Sequence, residues 1–219
     1  MPPLPPKWKP WHLFQRKRFR AHPAPLLALV GTLQEAALQP QPAHQLVAEL
    51  DRRGMLRRCY TQNIDGLEEA AGTCPQRLVY VHGRLPPRME ETGDEGSPAA
   101  ADATRARVAA VEQHIAFIGD AVALPQLGED LAAASVLLVM GTSFTAATAA
   151  DIAADCPAPR ILVTLPGSGA ALPPRRAGGR AGEALDDCVV TMDAQDFARV
   201  ALLRLRRLGQ GDELAAMLK

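Results

Sequence analysis

The sequence predicts an α/β fold: a parallel sheet with helices packed on its faces. Three observations carry this expectation. Short, continuous apolar runs containing β-branched residues ("RLVYV", "ASVLLVM", "RILVT", "CVVT") alternate with segments of helical periodicity, the pattern of strands buried on both sides. Several of these runs stop at a small or hydrogen-bonding residue, as strands do where they face a ligand. A chain of 219 residues, 47% of them apolar, is long enough to bury a sizeable core as one domain.

Taken in order, residues 1–22 ("MPPLPPKWKPWHLFQRKRFRAH") read as a basic, proline-rich tail. Its run from Arg16 to Arg20 is a weak nuclear-localisation signal, since short basic runs are more often solvated. The main domain is expected over 23–209. It opens with helices at 25–38 and 43–53, the second carrying Leu46, Val47 and Leu50 on one face and stopping at Gly54. Strands are expected at 56–62 and 77–81, with a short helix at 66–71 between them, closed by Gly72. Residues 86–103 ("PPRMEETGDEGSPAAADA") read as a flexible insertion. A helix at 104–116 leads into "FIGD", followed by a strand at 134–140, a helix at 146–154 and a strand at 160–164. After a low-complexity loop come a strand at 188–191 and an amphipathic helix at 194–208; residues 210–219 form a C-terminal tail.

The formal net charge is zero, so no global field points to nucleic acid or to a membrane. No apolar run approaches the roughly 18 residues of a spanning helix, and the N-terminus lacks the apolar stretch of a signal peptide. The four cysteines, Cys59, Cys74, Cys156 and Cys188, have no paired spacing and suit a reducing compartment. The expectation is a soluble intracellular protein, more nuclear than cytoplasmic.

The strand ends suggest chemistry. "LRRCY" runs into Thr61-Gln62-Asn63-Ile64-Asp65, "LVYV" into His82-Gly83, and "VLLVM" into Gly141-Thr142-Ser143. Asp65 alone could be a helix N-cap. Three such endings on one rim favour a nucleotide-type ligand, because glycines allow close backbone approach and hydroxyls can donate to phosphate or ribose oxygens. Histidine is the side chain suited to accept a proton near neutral pH, which makes His82 the candidate base. No serine or cysteine motif stands near it, so the proton would come from the ligand. His12, His22, His44 and His114 share no spacing and read as structural or surface residues.

These residues resemble the sirtuins, the NAD-dependent protein-lysine deacylases. "YTQNIDGLE", then "HG" some fifteen residues later, then "GTS" after an apolar strand follow the family's order, with "FIGD" in place of its aromatic-Gly-Glu. The likeness runs from about Pro23 to Leu205, with a loose leaning toward the nuclear histone-deacetylating branch. It implies a Rossmann-like NAD-binding sheet and the following roles. Gln62 and Asn63 would line the nicotinamide-ribose site, Ile64 and Asp65 would contact nicotinamide, and His82 would be the general base. Gly141, Thr142 and Ser143 would hold phosphate and adenosine-ribose groups. Phe117 and Ile118 would flank the acyl-lysine tunnel, and Gly119 and Asp120 would begin the edge that pairs with an acetylated protein or histone-tail peptide. In the family, the acetyl group passes from lysine to ADP-ribose and nicotinamide is released.

Three departures qualify the expectation. The family's first strand and its Gly-Ala-Gly loop have no counterpart, so the chain is expected to be N-terminally truncated, with inner strands left unpaired and activity weakened. No cysteine lies between Gly83 and Phe117, where the family has its Cys-x-x-Cys zinc pairs, so no zinc is expected. Thr164 stands where the family usually has asparagine. An alternative reading is a catalytically impaired module that binds NAD, ADP-ribose or protein partners. Neither reading calls for nucleic acid or membrane.

Overall fold

The computed structural model describes residues 4, 6–36, 38–89, 97–176 and 187–208. The expected C-terminal tail, the middle of the 86–103 insertion and the second half of the low-complexity loop lie outside the described residues. The chain divides into two compact units. The first comprises residues 1–39, 60–66 and 79–122; the second comprises 40–59, 67–78 and 123–219.

In order, the helices and strands are α1 (Arg16–Ala21), α2 (Ala24–Glu35), α3 (Pro42–Arg52), β1 (Cys59–Thr61), α4 (Leu67–Ala70), β2 (Leu78–Tyr80), α5 (Pro98–His114), α6 (Leu127–Ala133), β3 (Leu137–Met140), α7 (Ala147–Asp155), β4 (Arg160–Thr164), β5 (Cys188–Thr191) and α8 (Ala194–Arg207). The fold is α/β and Rossmann-like. β3, β4 and β5 form a parallel sheet in that order, with Leu137 opposite Arg160 and Ile161 opposite Cys188. β1 and β2 pair as a separate two-stranded sheet.

In the first unit the core is Leu13, Phe19, Leu26, Leu27, Val30, Val111, Ile115 and Phe117. This corrects the reading of residues 1–22 as a tail. Pro10–Phe14 forms a 3-10 turn and 16–21 a helix, and Leu13 and Phe19 are buried. The basic run is helical: Phe19 points inward, while Arg16 and Arg20 pair with acidic residues. The insertion is also shorter than expected. Ser97 Oγ accepts the Ala100 amide at 3.2 Å, Pro98 occupies the first turn, and alanines then propagate α5 from residue 98 rather than 104.

In the second unit α3 packs on α8 through buried Leu46, Ala198, Ala201 and Leu205. Asp193 caps α8 by accepting the Gln195 amide at 2.8 Å, and the helix ends in Arg204, Arg206 and Arg207, where cations complement the macrodipole. α3 closes at Gly54 (φ 71°), and both Met55 and Leu56 donate their amides to the Leu50 carbonyl. That cap withdraws residues 55–56 from any ladder, so β1 starts at Cys59 and not at Leu56. β4 and β5 have the bounds expected from sequence.

Candidate functional site

β1 ends at Thr61, whose buried hydroxyl accepts the Asn63 amide at 3.1 Å and turns the chain out of the strand. This turn leaves Gln62 half-buried and Asn63 exposed. The Ile64 carbonyl then accepts the Leu85 amide at 2.8 Å, and Ile64 packs against the first unit's core. Gly66, at φ 73°, brings the backbone beneath Arg84: a side-chain carbon there would lie 3.0 Å from Arg84 Nη2. Asp65 lies half-buried just before that glycine.

The ladder continues one step past β2, with the Val81 amide donating to the Thr61 carbonyl at 2.8 Å, and this sets His82 beside Gln62. The amide nitrogen Nε2 of Gln62 stands 3.4 Å from His82 Nε2. This contact is a hydrogen bond when the ring nitrogen carries no proton, the state in which it can accept one. The main chain of His82 is fixed from the other side, where its carbonyl accepts the Ala116 amide at 2.9 Å. Gly83 was expected to let the backbone approach a ligand. It approaches protein instead, forming an antiparallel bridge with Ile115.

The "FIGD" turn follows directly. Phe117 is 3% exposed and packs on Phe19 with ring centroids 5.3 Å apart, so its side chain is occupied in the core. Ile118 is 59% exposed, and its amide is committed to the Phe14 carbonyl at 2.8 Å. Gly119 has φ 93°. Asp120 accepts the Phe117 amide at 2.7 Å, a bond that holds its carboxyl below the usual carboxylate range, with Arg16 adding to the effect.

Gly141, Thr142 and Ser143 belong to the second unit, at the end of β3. Gly141 is exposed with φ 68°. Thr142 Oγ1 accepts the Phe144 amide at 3.2 Å, and Ser143 Oγ lies 3.0 Å from Thr145 Oγ1. The cap residue of α7 is Ala146, which offers no side-chain acceptor to the helix's first amides. Thr164, at the end of β4, has its hydroxyl 2.6 Å from Ser168 Oγ.

The structure therefore joins Gln62, Ile64 and His82 with the 117–120 turn in one unit, and orders Gly141–Ser143 in the other. The sequence reading missed Arg16, Arg84 and Ser168. Arg84 follows the "HG" pair directly and was open to notice; Arg16 is 104 positions from Asp120, and no local pattern links them. Among the described residues no group of three histidine, cysteine or acidic side chains is placed to hold a metal.

Each unit thus presents polar groups at a strand end: in the first an amide and an imidazole in contact, in the second a glycine-hydroxyl turn before a helix start without a side-chain cap. Residues 8–148 match the Sir2 family. The NAD-dependent protein deacetylase hst2 of Schizosaccharomyces pombe is 26% identical over 223 residues, covering 94% of this chain and 63% of that protein. The NAD-dependent protein deacetylase sirtuin-2 of Danio rerio is 40% identical over 74 residues, which are 34% of this chain and 20% of that protein. The chain thus spans less than two thirds of either relative. A Sir2 homolog–NAD complex superposes with a TM-score of 0.62 at 20% identity, covering 92% of this chain and 79% of that one. Sir2Tm bound to a propionylated peptide gives 0.59 at 20% identity, covering 91% and 86%. The chain belongs to the Sir2 family, the sirtuins.

Proposed function

We propose that the chain is an NAD-dependent protein-lysine deacetylase acting on acetylated protein segments, histone tails among them, in the nucleus. The observation that carries the proposal is the contact of Gln62 with His82 Nε2, on a histidine whose main chain is held by Ala116. When bound, NAD supplies an electrophilic ribose carbon and nicotinamide as leaving group. Gln62 and Asn63 hold the ribose, while Ile64 and Asp65 hold the nicotinamide amide. With NAD bound, His82 Nε2 would take the proton of a ribose hydroxyl. Gly141, Thr142 and Ser143 hold the phosphates and the adenosine ribose. Ile118, Gly119 and Asp120 receive the acyl-lysine peptide, with Phe117 behind them as support.

The test is nicotinamide release from NAD in the presence of an acetylated histone peptide, comparing wild type with His82→Ala. General-base catalysis is worth about 10²–10⁴-fold, so the variant is expected to lose at least about a hundredfold. Equal rates would remove His82 from the chemistry. We further propose that this activity needs no structural zinc. Elemental analysis after dialysis against a weak chelator is expected to find none, and one zinc per chain would overturn that.

A further inference from the structure

The 117–120 turn is braced by the N-terminal segment, and the contacts converge on Arg16. Its Nη2 donates to Asp120 Oδ2 at 2.7 Å, and its guanidinium carbon lies 4.5 Å from the centroid of the Phe117 ring. Its Nη1 stands 3.6 Å from Glu112 Oε1 on α5, an oxygen that also receives Arg20 Nε at 2.6 Å. Two residues earlier, the Phe14 carbonyl accepts the Ile118 amide. One planar cation therefore spans three partners: the last turns of α5, the ring at the start of the "FIGD" turn and the carboxylate at its end.

The turn closes on itself without Arg16. The Phe117 amide donates to Asp120 Oδ2 at 2.7 Å, and the Asp120 amide donates to the Phe117 carbonyl at 3.0 Å. What Arg16 adds is a tie from that closed turn to Glu112 on α5, beside the Phe14 carbonyl's bond to the Ile118 amide. A guanidinium suits this task because its fork can bond a carboxylate while its flat face covers an aromatic ring; an ammonium does one or the other.

Resting on the deacetylase reading above, we propose that Arg16 is a positioning residue for the acyl-lysine peptide: it holds the Ile118–Asp120 edge in its binding orientation without touching the peptide. Because the Ile118 amide is already engaged, main-chain pairing with the peptide begins at Gly119, and Ile118 contributes an apolar contact. The peptide's affinity therefore depends on a brace in a segment whose composition suggests a tail.

The test uses the whole chain and three proteins: wild type, Arg16→Gln and Arg16→Lys. Affinity for a fluorescein-labelled acetyl-lysine peptide is read by anisotropy, affinity for ADP-ribose by calorimetry, and exchange of the amides at 118–120 by hydrogen–deuterium mass spectrometry. Loss of one charge-assisted hydrogen bond predicts about tenfold weaker peptide binding in Arg16→Gln, with partial recovery in Arg16→Lys. Exchange at 118–120 should quicken and ADP-ribose affinity should hold. Unchanged peptide affinity in Arg16→Gln overturns the proposal, as does an equal fall for peptide and ADP-ribose, which would mark a merely structural role. A wild-type protein that binds no acetyl-lysine peptide overturns the deacetylase reading and this inference with it. Peptide binding by wild type that Arg16→Gln leaves intact overturns the inference alone.

Discussion

A side-chain carbon on Gly83 would stand 2.0 Å from the main-chain oxygen of His114. The same oxygen accepts the Arg84 amide at 2.9 Å, and the next residue, Ile115, is the bridge partner of Gly83. The end of α5 is thus stitched to the backbone that directly follows the candidate base. Only glycine permits that approach, and its φ of 80° lies in the left-handed region. Gly83→Ala is therefore expected to cost more than about 3 kcal/mol and to abolish nicotinamide release, since the backbone after His82 must move. Gly54→Ala is the control: φ is 71° but nothing lies within 4 Å, so only the backbone strain of about 1–2 kcal/mol applies. Thermal melts of the two variants give the comparison, and equal destabilisation would refute the close-approach argument.

The sequence disclosed most where local pattern and tertiary role coincide. β4 and β5 matched to the residue because their apolar runs are bounded by polar or breaking residues and no other element competes for their backbone. The Gln62–His82 contact was open to inference because both side chains follow strand ends, and paired neighbours bring such ends together. The N-terminal brace was hidden for the opposite reason. The apolar residues around Leu13 and Phe19 are interrupted by prolines and cations, too few to set a helical period, and their burial depends on α2 and α5. The start of α5 was obscured by "SPAAADA", where small residues read equally well as a linker or as a capped, alanine-rich helix start. The burial of Phe117 against Phe19 was hidden as well, because a motif cannot state which of its side chains turns inward.

Asp130 is the second expected weak point. It is 4% exposed and accepts Arg57 Nε at 2.9 Å and Arg58 Nε at 2.7 Å, tying α6 to the approach of β1. Asp130→Ala removes the shared acceptor and leaves the half-buried Arg58 to find another. Arg57 is largely in water and rehydrates, which limits the loss, so about 1–3 kcal/mol is expected from urea melts. Asp130→Asn keeps the shape and one acceptor, and should cost less. Equal losses for the two variants would point to packing rather than charge.

Acid should weaken the second unit through Glu49. Hydrogen bonding from Arg52, followed by that from Arg53 against an opposing desolvation, lowers its carboxyl from the ordinary 4.5 to about 2. A lowered folded value means that the stabilisation is present above the unfolded value and is lost as pH falls through the folded one. The window is therefore from about pH 4.5 down to about pH 2. Asp187 contributes in the same direction, because the buried Arg160 beside it holds its carboxyl below the usual range. Glu49→Gln should flatten the dependence of melting temperature on pH across this window while leaving Asp187's share. A slope unchanged by Glu49→Gln would show that the Arg52 contact contributes nothing in solution.

The four thiols should separate by reactivity. Burial pushes the Cys59 thiol up to about 12, with the charge of Glu68 adding to the effect. At neutral pH only about one molecule in 10⁵ would then carry the reactive thiolate at that position. Cys156 is buried and its thiol is likewise raised by desolvation. Cys74 is half-buried, with Sγ 2.8 Å from Gln76 Oε1, whereas Cys188 is exposed at the start of β5. Brief treatment of the native protein with a maleimide at pH 7 should modify Cys188 first and Cys74 more slowly, leaving Cys59 and Cys156 intact. Peptide mapping by mass spectrometry distinguishes the four, and in denaturant all should react alike. Modification of native Cys59 at the rate of Cys188 would mean that β1 opens readily, and the turn holding Gln62 beside His82 would then lack the rigid strand on which its role as a site depends.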